Sequence, residues 1–566
     1  MFGHVETAYE FGPFRVDPRE RQLIRNGEVV PLRPKVFDIL LLLVQNSGHV
    51  LTKDDVMRHI WSNTAVEEGN ISRTISTLRN VLGEDPSEHR YIETIPWRGY
   101  RFIANVREVS VQEAVRRINS IAVLPFVNVN EDPATEYLVD GITDNVIRSL
   151  AQSRLLRVTS RNSVFRYKGR EIDARTVGRE LKVQALLLGR VSRSDDLLSI
   201  SVELVDTRDD CHLWGAQYIR PPDDLLAACD TIARKIGDKF RLQPPVGEQL
   251  TPTHHSPTHE AHVLYLKGRY HFNKLTPEGV QRATEYLLQA TELDPNYALA
   301  YAALSDCHNY LAQRVEGKTA VLKALELDET LGEAHASYGF FRFLNEWDFA
   351  GAEDSFKRSL VLNPNYAEAH HWYAIYLANL GRHDEAEREA KRAVELDPLS
   401  LLMNMTAALN FYIAREPDQA IEQLQRVLEL EPNYLVARSV MGNVLVQKKL
   451  YEQAIGEFQK VLELVKGAPA VEVSVKAIIA QAYGRWGNRK EALKLLEEVA
   501  AAGTTSWYSI AGIYAALGEV DSAFESLDKA YEQHDLSLVS LKVDPSLDGV
   551  RSDPRFDQLM TAVGIP

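Results

Sequence analysis

The C-terminal half of the chain repeats itself at an interval of about 34 residues. A Glu-Leu-Asp-Pro-Asn-Tyr motif begins at Glu292 and recurs in degenerate form, with its third position at 294, 328, 363, 397 and 431. A second register agrees, because Ala352, Ala386, Ala420 and Ala454 follow one another in steps of 34 residues. A fixed period of this length indicates a helix pair that stacks on copies of itself, with small residues where helices touch. The repeat therefore predicts an all-α solenoid over residues 259–566.

These units resemble tetratricopeptide repeats. The turn between paired helices is typical of that family at Gly381-Arg382-His383-Asp384-Glu385-Ala386. Later units drift, since Ala492 and Ala523 fall 38 and 31 residues after their predecessors, and residues 544–559 are expected to form a cap. The repeating residues serve packing and identify no ligand. The resemblance implies a protein or peptide partner on the solenoid and leaves self-association possible.

A second pattern, near the N-terminus, predicts a helix with two contrasting faces. Ile71, Ile75, Leu78 and Leu82 form one apolar stripe at helical spacing. The opposite face is short and polar and consists of Asn70, Arg73, Ser76, Thr77 and Asn80. A β-branched and aromatic segment over residues 91–102 follows and indicates a hairpin, with Gly99 as its bend. This order predicts a winged helix, whose helix lies in the major groove of DNA and whose wing lies along the backbone or minor groove.

Residues 8–106 resemble the OmpR/PhoB-type winged-helix domain. The N-terminal sheet residues Phe11-Gly12-Pro13-Phe14-Arg15-Val16-Asp17 are typical of it, as are a hairpin over 26–32 and helices over 35–46 and 52–61. Pro96-Trp97-Arg98-Gly99-Tyr100 is similar to the wing of the CadC/ToxR-like branch. The pattern and the resemblance together imply these DNA contacts: Asn70, Arg73, Thr74, Ser76, Thr77, Arg79, Asn80, Thr94, Trp97, Arg98 and Arg101.

The charge of this head leaves an alternative open. Residues 1–106 hold 13 Lys and Arg against 14 Asp and Glu, so attraction to phosphate depends on where single arginines lie. Response regulators of the family often carry several arginines along this helix, where this sequence has Gly69, Ser76 and Thr77. Members with a receiver domain carry it ahead of the winged helix, with which this sequence begins. The alternative is a repeat scaffold whose winged helix docks protein rather than DNA.

Residues 119–243 alternate between strand and helix patterns. Strands are expected at 120–126, 156–159, 185–191 and 198–205 and from Trp214 onward, with helices at 140–150, 176–181 and 225–240. Thr143 is expected to cap the first helix, after a turn at Asp140-Gly141. The block predicts a small α/β domain with a mixed sheet and resembles the TolB-N-terminal-like domain, for example at Ala122-Val123-Leu124-Pro125-Phe126. Residues 107–118 are expected to be a helical connector, and residues 243–259 a flexible linker.

Composition places the chain among ordinary globular proteins. A chain of 566 residues is too long to fold around a single hydrophobic core, so several domains are expected. Of its residues, 45% are hydrophobic and 25% are charged. The net charge of −15 argues against a chain that coats nucleic acid along its length. No secretory signal and no stretch of 18 apolar residues is visible, so no membrane partner is expected. The three cysteines are far apart and indicate a reduced, cytoplasmic protein.

Taken together, the sequence predicts a multidomain protein with an α+β winged helix, a small α/β mixed-sheet domain and an all-α tetratricopeptide-repeat solenoid. No glycine-rich phosphate loop, paired-histidine motif or nucleophile elbow is present, so no enzyme, cofactor or metal site is expected. The predicted function is that of a one-component transcriptional regulator that binds double-stranded promoter DNA.

Overall fold

A computed structural model describes most of the chain. The described residues are 7–18, 21–25, 28–30, 32–60, 69–84, 90–110, 118–132, 135–170, 173–194, 197–221, 224–240, 257–272, 277–311, 313–503 and 506–566. They form two compact units, residues 1–117 and 118–566. Within the described residues, no helix combines the length and the apolar character that crossing a bilayer requires.

The first unit begins with an antiparallel sheet of order β4-β3-β2-β1-β8. Its strands are β1 (Thr7–Phe11), β2 (Phe14–Asp17), β3 (Gln22–Arg25), β4 (Glu28–Val30) and β8 (Arg107–Ser110). The last strand corrects the sequence-based prediction, because residues 107–110 pair with β1 instead of starting a helical connector. The outer edge of β1 needs hydrogen-bond partners, and the segment after the wing supplies them. The rest of the expected connector, 111–117, lies outside the described residues.

Three helices and a second sheet complete this unit. The helices are α1 (Pro34–Gln45), α2 (Lys53–Ile60) and α3 (Gly69–Leu82), and the sheet has the order β5-β7-β6 with β5 (Val50–Thr52), β6 (Ile92–Ile95) and β7 (Gly99–Phe102). Thr52 and Asp55 begin α2 with a reciprocal cap, in which each side chain accepts from the other's backbone N–H at 3.1–3.2 Å. The predicted helices and wing are confirmed within one or two residues where they are described. The hairpin expected over 26–32 begins earlier, at Gln22, and residues 26, 27 and 31 lie outside the described residues.

Gly99 is not the bend of the wing, as the sequence suggested. The turn consists of Pro96, Trp97 and Arg98, and Gly99 is the first residue of β7. A Cβ atom on Gly99 would lie 1.9 Å from the carbonyl oxygen of Leu51 on β5. Glycine is therefore required by the close approach of two strands rather than by the turn.

The second unit starts with the α/β domain. Its sheet has the order β11-β9-β12-β13-β14, with β10 beside β12. The strands are β9 (Ser120–Val123), β10 (Val127–Asn128), β11 (Arg157–Val158), β12 (Ala185–Ser194), β13 (Leu197–Asp206) and β14 (Cys211–Arg220). The helices are α4 (Glu136–Ala151), α5 (Arg161–Val164), α6 (Ala174–Glu180) and α7 (Leu225–Lys239). Parallel pairs among β9, β11 and β12 and antiparallel pairs from β12 to β14 confirm the mixed sheet.

Two local predictions in this domain are wrong. Helix α4 begins at Glu136, so Thr143 lies in its buried interior, where its hydroxyl donates to the carbonyl of Val139 at 3.2 Å. Asp140 and Gly141 are likewise helical rather than part of a leading turn. The apolar residues Leu138 and Val139 extend the buried face by one turn and override the local glycine signal. A Cβ on Gly141 would lie 2.6 Å from the side chain of Leu266, so glycine allows that side chain to pack closely against α4.

Seventeen α-helices follow within the described residues. They are α8 (His259–Phe272), α9 (Pro277–Leu293), α10 (Ala298–Tyr310), α11 (Arg314–Leu327), α12 (Gly332–Phe341), α13 (Phe349–Leu362), α14 (Ala367–Asn379), α15 (His383–Leu396), α16 (Leu401–Ile413), α17 (Pro417–Leu430), α18 (Leu435–Gln447), α19 (Tyr451–Leu464), α20 (Pro469–Trp486), α21 (Arg489–Ala502), α22 (Trp507–Leu517), α23 (Val520–Glu532) and α24 (Pro554–Val563).

The repeat motif marks where the second helix of a pair ends. Helices α9, α11, α13, α15 and α17 end one residue before positions 294, 328, 363, 397 and 431. The repeating alanines at 352, 386, 420 and 454 are completely buried, as small residues at helix contacts should be. The expected turn at Gly381 has a left-handed backbone with φ +76°, which glycine adopts without strain. The solenoid prediction is confirmed.

The α/β domain is held against the solenoid by side chains of the repeat motif itself. The Nδ2 atom of Asn365 donates to the carbonyls of Ala151, Ser153 and Leu156 at 2.8–2.9 Å. Asp397, which is fully buried, accepts a hydrogen bond from the hydroxyl of Ser163. Two motif positions that serve turns elsewhere in the solenoid therefore also fix the neighbouring domain.

Candidate nucleic-acid interface

Helix α3 separates an apolar face from a polar one, as its sequence predicts. Ile71, Ile75, Leu78 and Leu82 are at most 2% exposed and join the core of the first unit. The predicted contact residues Asn70, Arg73, Ser76, Thr77 and Asn80 are all exposed. One guanidinium among short hydroxyl and amide groups can hydrogen-bond to base edges without large side chains in the way. The helix therefore presents a surface suited to the major groove.

The threonines of this face are partly engaged by their own helix. The hydroxyl of Thr74 donates to the carbonyl of Asn70 at 2.8 Å, and that of Thr77 donates to the carbonyl of Arg73 at 3.0 Å. Each hydroxyl proton is directed into the helix, so the oxygen lone pairs and the methyl group face outward. In this state these two threonines can accept hydrogen bonds from bases or contact a thymine methyl group.

The wing presents two exposed side chains at its tip. The turn closes through a 3.1 Å hydrogen bond from the backbone N–H of Arg98 to the carbonyl of Ile95. Trp97 adopts a left-handed backbone with φ +63°, and its side chain is entirely exposed. A completely exposed tryptophan is unusual, because this side chain normally buries most of its surface area. The tip therefore combines a cation at Arg98 with an apolar ring, a pair that suits a groove or the sugar-phosphate edge.

Arg79, one of the predicted DNA contacts, is hydrogen-bonded to the wing in the structure. Its Nη2 atom donates to the carbonyl of Ile92 at 2.8 Å and to the hydroxyl of Thr94 at 2.9 Å. Its Nε atom lies 3.7 Å from a carboxylate oxygen of Glu84, a buried residue that also accepts from the backbone N–H of Tyr91 at 2.9 Å. Arg79 and Glu84 therefore connect the end of α3 to strand β6, and Thr94 is part of that connection.

Two further contacts stabilise the wing, one between its own strands and one to α3. Arg101 is opposite Glu93 on the neighbouring strand and donates to its carboxylate from Nε at 2.9 Å and Nη2 at 2.6 Å. The hydroxyls of Ser72 and Tyr100 are 3.3 Å apart. Sequence reasoning missed Glu84 and Ser72, since neither has a motif that distinguishes it from a surface residue. Among the predicted residues, Arg79 and Thr94 thus join α3 to the wing, and Arg101 joins the two wing strands.

A cavity between four helices of the solenoid is a second candidate site. A cavity of about 270 Å³ is bordered by helices α16, α18, α20 and α22 and by the segment 540–546. Its polar lining includes Asn443, Gln481, Arg485, Tyr508 and Asp544. The hydroxyl of Tyr508 donates to Asp544 at 2.9 Å, and Arg485 donates to the carbonyl of Pro545. Mixed amide, aromatic and charged groups of this kind suit a peptide-like or small polar ligand.

Comparison with known proteins supports the division into a DNA-binding head and repeats. A family model described as "Transcriptional regulatory protein, C terminal" matches residues 27–102. Three tetratricopeptide-repeat models match residues 355–388, 405–469 and 504–533.

Similar proteins include regulators and one protein named as an enzyme. The chain is 25% identical to the transcriptional regulator HilA of Salmonella typhimurium, over 68% of this chain and 70% of HilA. It is 34% identical to the transcriptional activator CadC of Escherichia coli, over 19% of this chain and 21% of CadC. It is also 31% identical to a protein named "Putative adenylate cyclase 3" of Rhizobium meliloti, over 47% of this chain and 42% of that protein.

Proposed function

Since this chain is a transcriptional regulator with an OmpR/PhoB-type winged-helix domain and C-terminal tetratricopeptide repeats, we propose that it works as a one-component regulator whose own C-terminal unit receives the signal. The single observation that carries DNA binding is the exposed polar face of α3 opposite a fully buried stripe. In this proposal α3 enters the major groove and the tip of the wing, with Trp97 and Arg98, reaches the adjacent groove.

Within this interface the predicted residues take different roles. Asn70, Arg73, Ser76, Thr77 and Asn80 read bases or contact phosphates, and Thr74 borders them on the same helix. Arg79 and Thr94 are positioning residues, because their mutual hydrogen bond orients α3 relative to the wing. Arg101 is a positioning residue for the wing through Glu93.

The C-terminal unit is proposed to bind a protein or peptide and to control how heads pair on DNA. The cavity beside Tyr508 and Arg485 supports a ligand between helices of the solenoid. A single small head with a nearly neutral charge has few phosphate contacts, so two tethered heads on paired half-sites would gain affinity through effective concentration. Self-association of the full chain is the simplest way to bring two heads together.

The test is parallel selection of bound duplexes from a random DNA library by residues 1–110 and by the full chain. A shared motif is expected from both, and repeated half-sites are expected from the full chain alone. If the isolated head recovered repeated half-sites equally well, the heads would pair on DNA by themselves. That result would contradict the proposal that the C-terminal unit controls their pairing. Sedimentation velocity of the full chain measures self-association directly.

The near-neutral head supports one competing function, a scaffold whose winged helix docks a protein. Titration of a duplex at two salt concentrations separates the two functions. DNA binding through phosphates weakens steeply as salt rises, whereas no enrichment and no binding at low salt would favour the scaffold.

The proposal includes no catalytic step and places the protein in the cytoplasm, where promoter DNA is accessible. More than half of the Rhizobium meliloti relative lies outside the matched region, so we propose no cyclase activity for this chain on the basis of that similarity. The cysteines are consistent with a reducing compartment, since all three are free thiols in the structure.

A further inference from the structure

The α/β domain carries an open pocket in which arginine predominates. The pocket measures about 540 Å³, within the range of small-ligand sites, which is about 300–1,000 Å³. Its lining consists of Asp173, Arg175, Gly178, Arg179, Val183, Thr207 and Arg208. Three arginines thus border one space, with Asp173 as the one carboxylate among the lining residues and Asp206 paired with Arg208 beside it.

Arg208 is held in a fixed orientation at one side of this pocket. Its Nε and Nη2 atoms donate to the two carboxylate oxygens of Asp206 at 2.9 and 2.6 Å, and Asp206 is only 3% exposed. A bidentate pair with a buried carboxylate fixes the plane of the guanidinium. Arg208 therefore needs little reorganisation to meet a ligand.

Arg175 and Arg179 come from helix α6 and are exposed. Arg175 donates from Nη2 to the carbonyl of Asp209 at 3.1 Å, and Arg179 donates from Nη2 to the hydroxyl of Thr176 at 3.2 Å. Each guanidinium has five N–H donors, so these bonds still allow each of the two to bind an anion. Residues four apart share a helix face, where two like charges repel one another unless an anion lies between them.

The floor of the pocket is rigid. A Cβ atom on Gly178 would lie 2.3 Å from the side chain of Thr207, so α6 and the segment after β13 are in direct contact there. The hydroxyl of Thr207 donates to the carbonyl of Val183 at 2.7 Å, which anchors that segment. The carboxylate of Asp173 accepts from the backbone N–H of Thr176 at 2.9 Å and is thereby directed to the start of its own helix. The arginines are thus arranged on a backbone that is already in place.

We propose that this pocket binds a small molecule that carries a phosphate group, through the guanidinium groups of Arg175, Arg179 and Arg208. A phosphate presents several oxygens to several guanidinium forks at once, whereas a carboxylate is satisfied by one. Binding here requires nothing of the winged helix and is measured apart from DNA binding.

The experiment is a titration of the full chain with pyrophosphate in 0.15 M NaCl, in which isothermal titration calorimetry measures the binding affinity. The double variant Arg175→Gln/Arg179→Gln is expected to bind pyrophosphate about tenfold more weakly or worse, because charge-assisted hydrogen bonds from both guanidinium groups are lost. Each single variant is expected to lose a smaller part of that affinity. Both arginines are exposed, and unchanged thermal melting checks that the variants fold.

Arg234→Gln is the matched control. Arg234 lies on α7, outside the pocket, and donates from Nη2 to the hydroxyl of Thr231 at 3.3 Å, the same local arrangement as Arg179 with Thr176. The control is expected to bind pyrophosphate as the unmodified chain does. Absence of pyrophosphate binding to the unmodified chain, or equal weakening by the control, overturns the proposal. The double variant could also lose affinity for duplex DNA to the same extent as for pyrophosphate. That result would overturn the proposal and would indicate that the arginines contact DNA phosphates.

Discussion

The Nη2 atom of Arg79 donates a 2.9 Å hydrogen bond to the hydroxyl of Thr94 and so joins α3 to the first strand of the wing. The same atom reaches the carbonyl of Ile92, and buried Glu84 lies beside the guanidinium. Arg79 therefore has a structural role in the head, because it connects α3 to the wing. Arg73 and Arg79 were both predicted from the sequence as DNA contacts, but in the structure only Arg79 is bonded to the wing.

Substitution of each arginine by alanine should reveal that difference. Arg79→Ala is expected to lower the free energy of unfolding of the head by about 2 kcal/mol, because the carbonyl of Ile92 and the carboxylate of Glu84 lose their partner. Arg73→Ala is expected to leave stability within about 0.5 kcal/mol of the unmodified head and to lower DNA affinity by about 1–3 kcal/mol if it contacts a base. Thermal melting and fluorescence anisotropy with the selected duplex measure the two quantities. Equal stability losses would show that Arg79 is not a positioning residue.

The two exposed residues of the wing should act through different forces. Arg98→Ala is expected to reduce the slope of log affinity against log salt by about one, since one phosphate contact releases about one counterion. Trp97→Ala removes an uncharged ring and is expected to weaken binding about fivefold, or roughly 1 kcal/mol, at an unchanged slope. Anisotropy titrations at four salt concentrations give both values. A changed slope for Trp97→Ala would mean that the ring acts only by placing a charged neighbour.

Asn365 offers a test of how the α/β domain is attached to the solenoid. Asn365→Ala removes three hydrogen bonds to carbonyls of Ala151, Ser153 and Leu156 and is expected to lower the unfolding free energy by about 2–3 kcal/mol. Hydrogen exchange should rise in residues 145–160, near those carbonyls.

Asn433→Ala is the matched control for this change. Asn433 holds the same position in a later repeat, where it is exposed. Its substitution is expected to have an effect within about 0.5 kcal/mol. Equal melting temperatures for the two variants would contradict the attachment through Asn365.

The elements predicted best from sequence are those fixed by a strict period. Repeats 34 residues apart gave correct helix ends, and the stripe from Ile71 to Leu82 gave the buried face of α3, because periodic burial is a local property of the chain. What the sequence missed depends on non-local partners. The strand at 107–110 exists because β1 has an edge to pair, and Gly99 is required by Leu51 on a different strand.

In the candidate site, too, local features were predicted from the sequence and contacts with other elements were not. The exposed residues of α3 follow from helix geometry and were predicted as a group. The attachment of Arg79 to β6 could not be predicted, since it depends on how close α3 lies to the hairpin in the folded head. The pairing of Arg101 with Glu93 depends on the register of β6 and β7, which the sequence does not show. The arginine pocket was missed for a similar reason, because Arg208 is far in sequence from Arg175 and Arg179.

His371 predicts a pH dependence of stability in the solenoid. The side chain lies on α14, is only 4% exposed, and its Nδ1 atom lies 2.5 Å from the hydroxyl oxygen of Thr406. Burial lowers the pKa of this imidazole from its ordinary value of 6.5 to about 4. Between these two values the unfolded chain binds a proton that the folded chain does not. The contribution of His371 to the free energy of unfolding is therefore fully present above pH 6.5 and decreases as pH falls toward 4.

Chemical denaturation of the full chain and of His371→Asn at several pH values measures this contribution. Over the interval from pH 6.5 to 4 the imidazole is expected to contribute a loss of about 3 kcal/mol, which an uncharged amide cannot contribute. The variant is expected to be less stable at pH 7.5, because asparagine fills less volume, but to lose less stability on acidification. Between pH 7.5 and 8.5 the difference between the two proteins should be constant. A difference that is also constant between pH 6.5 and 4.5 would mean that His371 becomes protonated in the folded state as easily as in the unfolded chain.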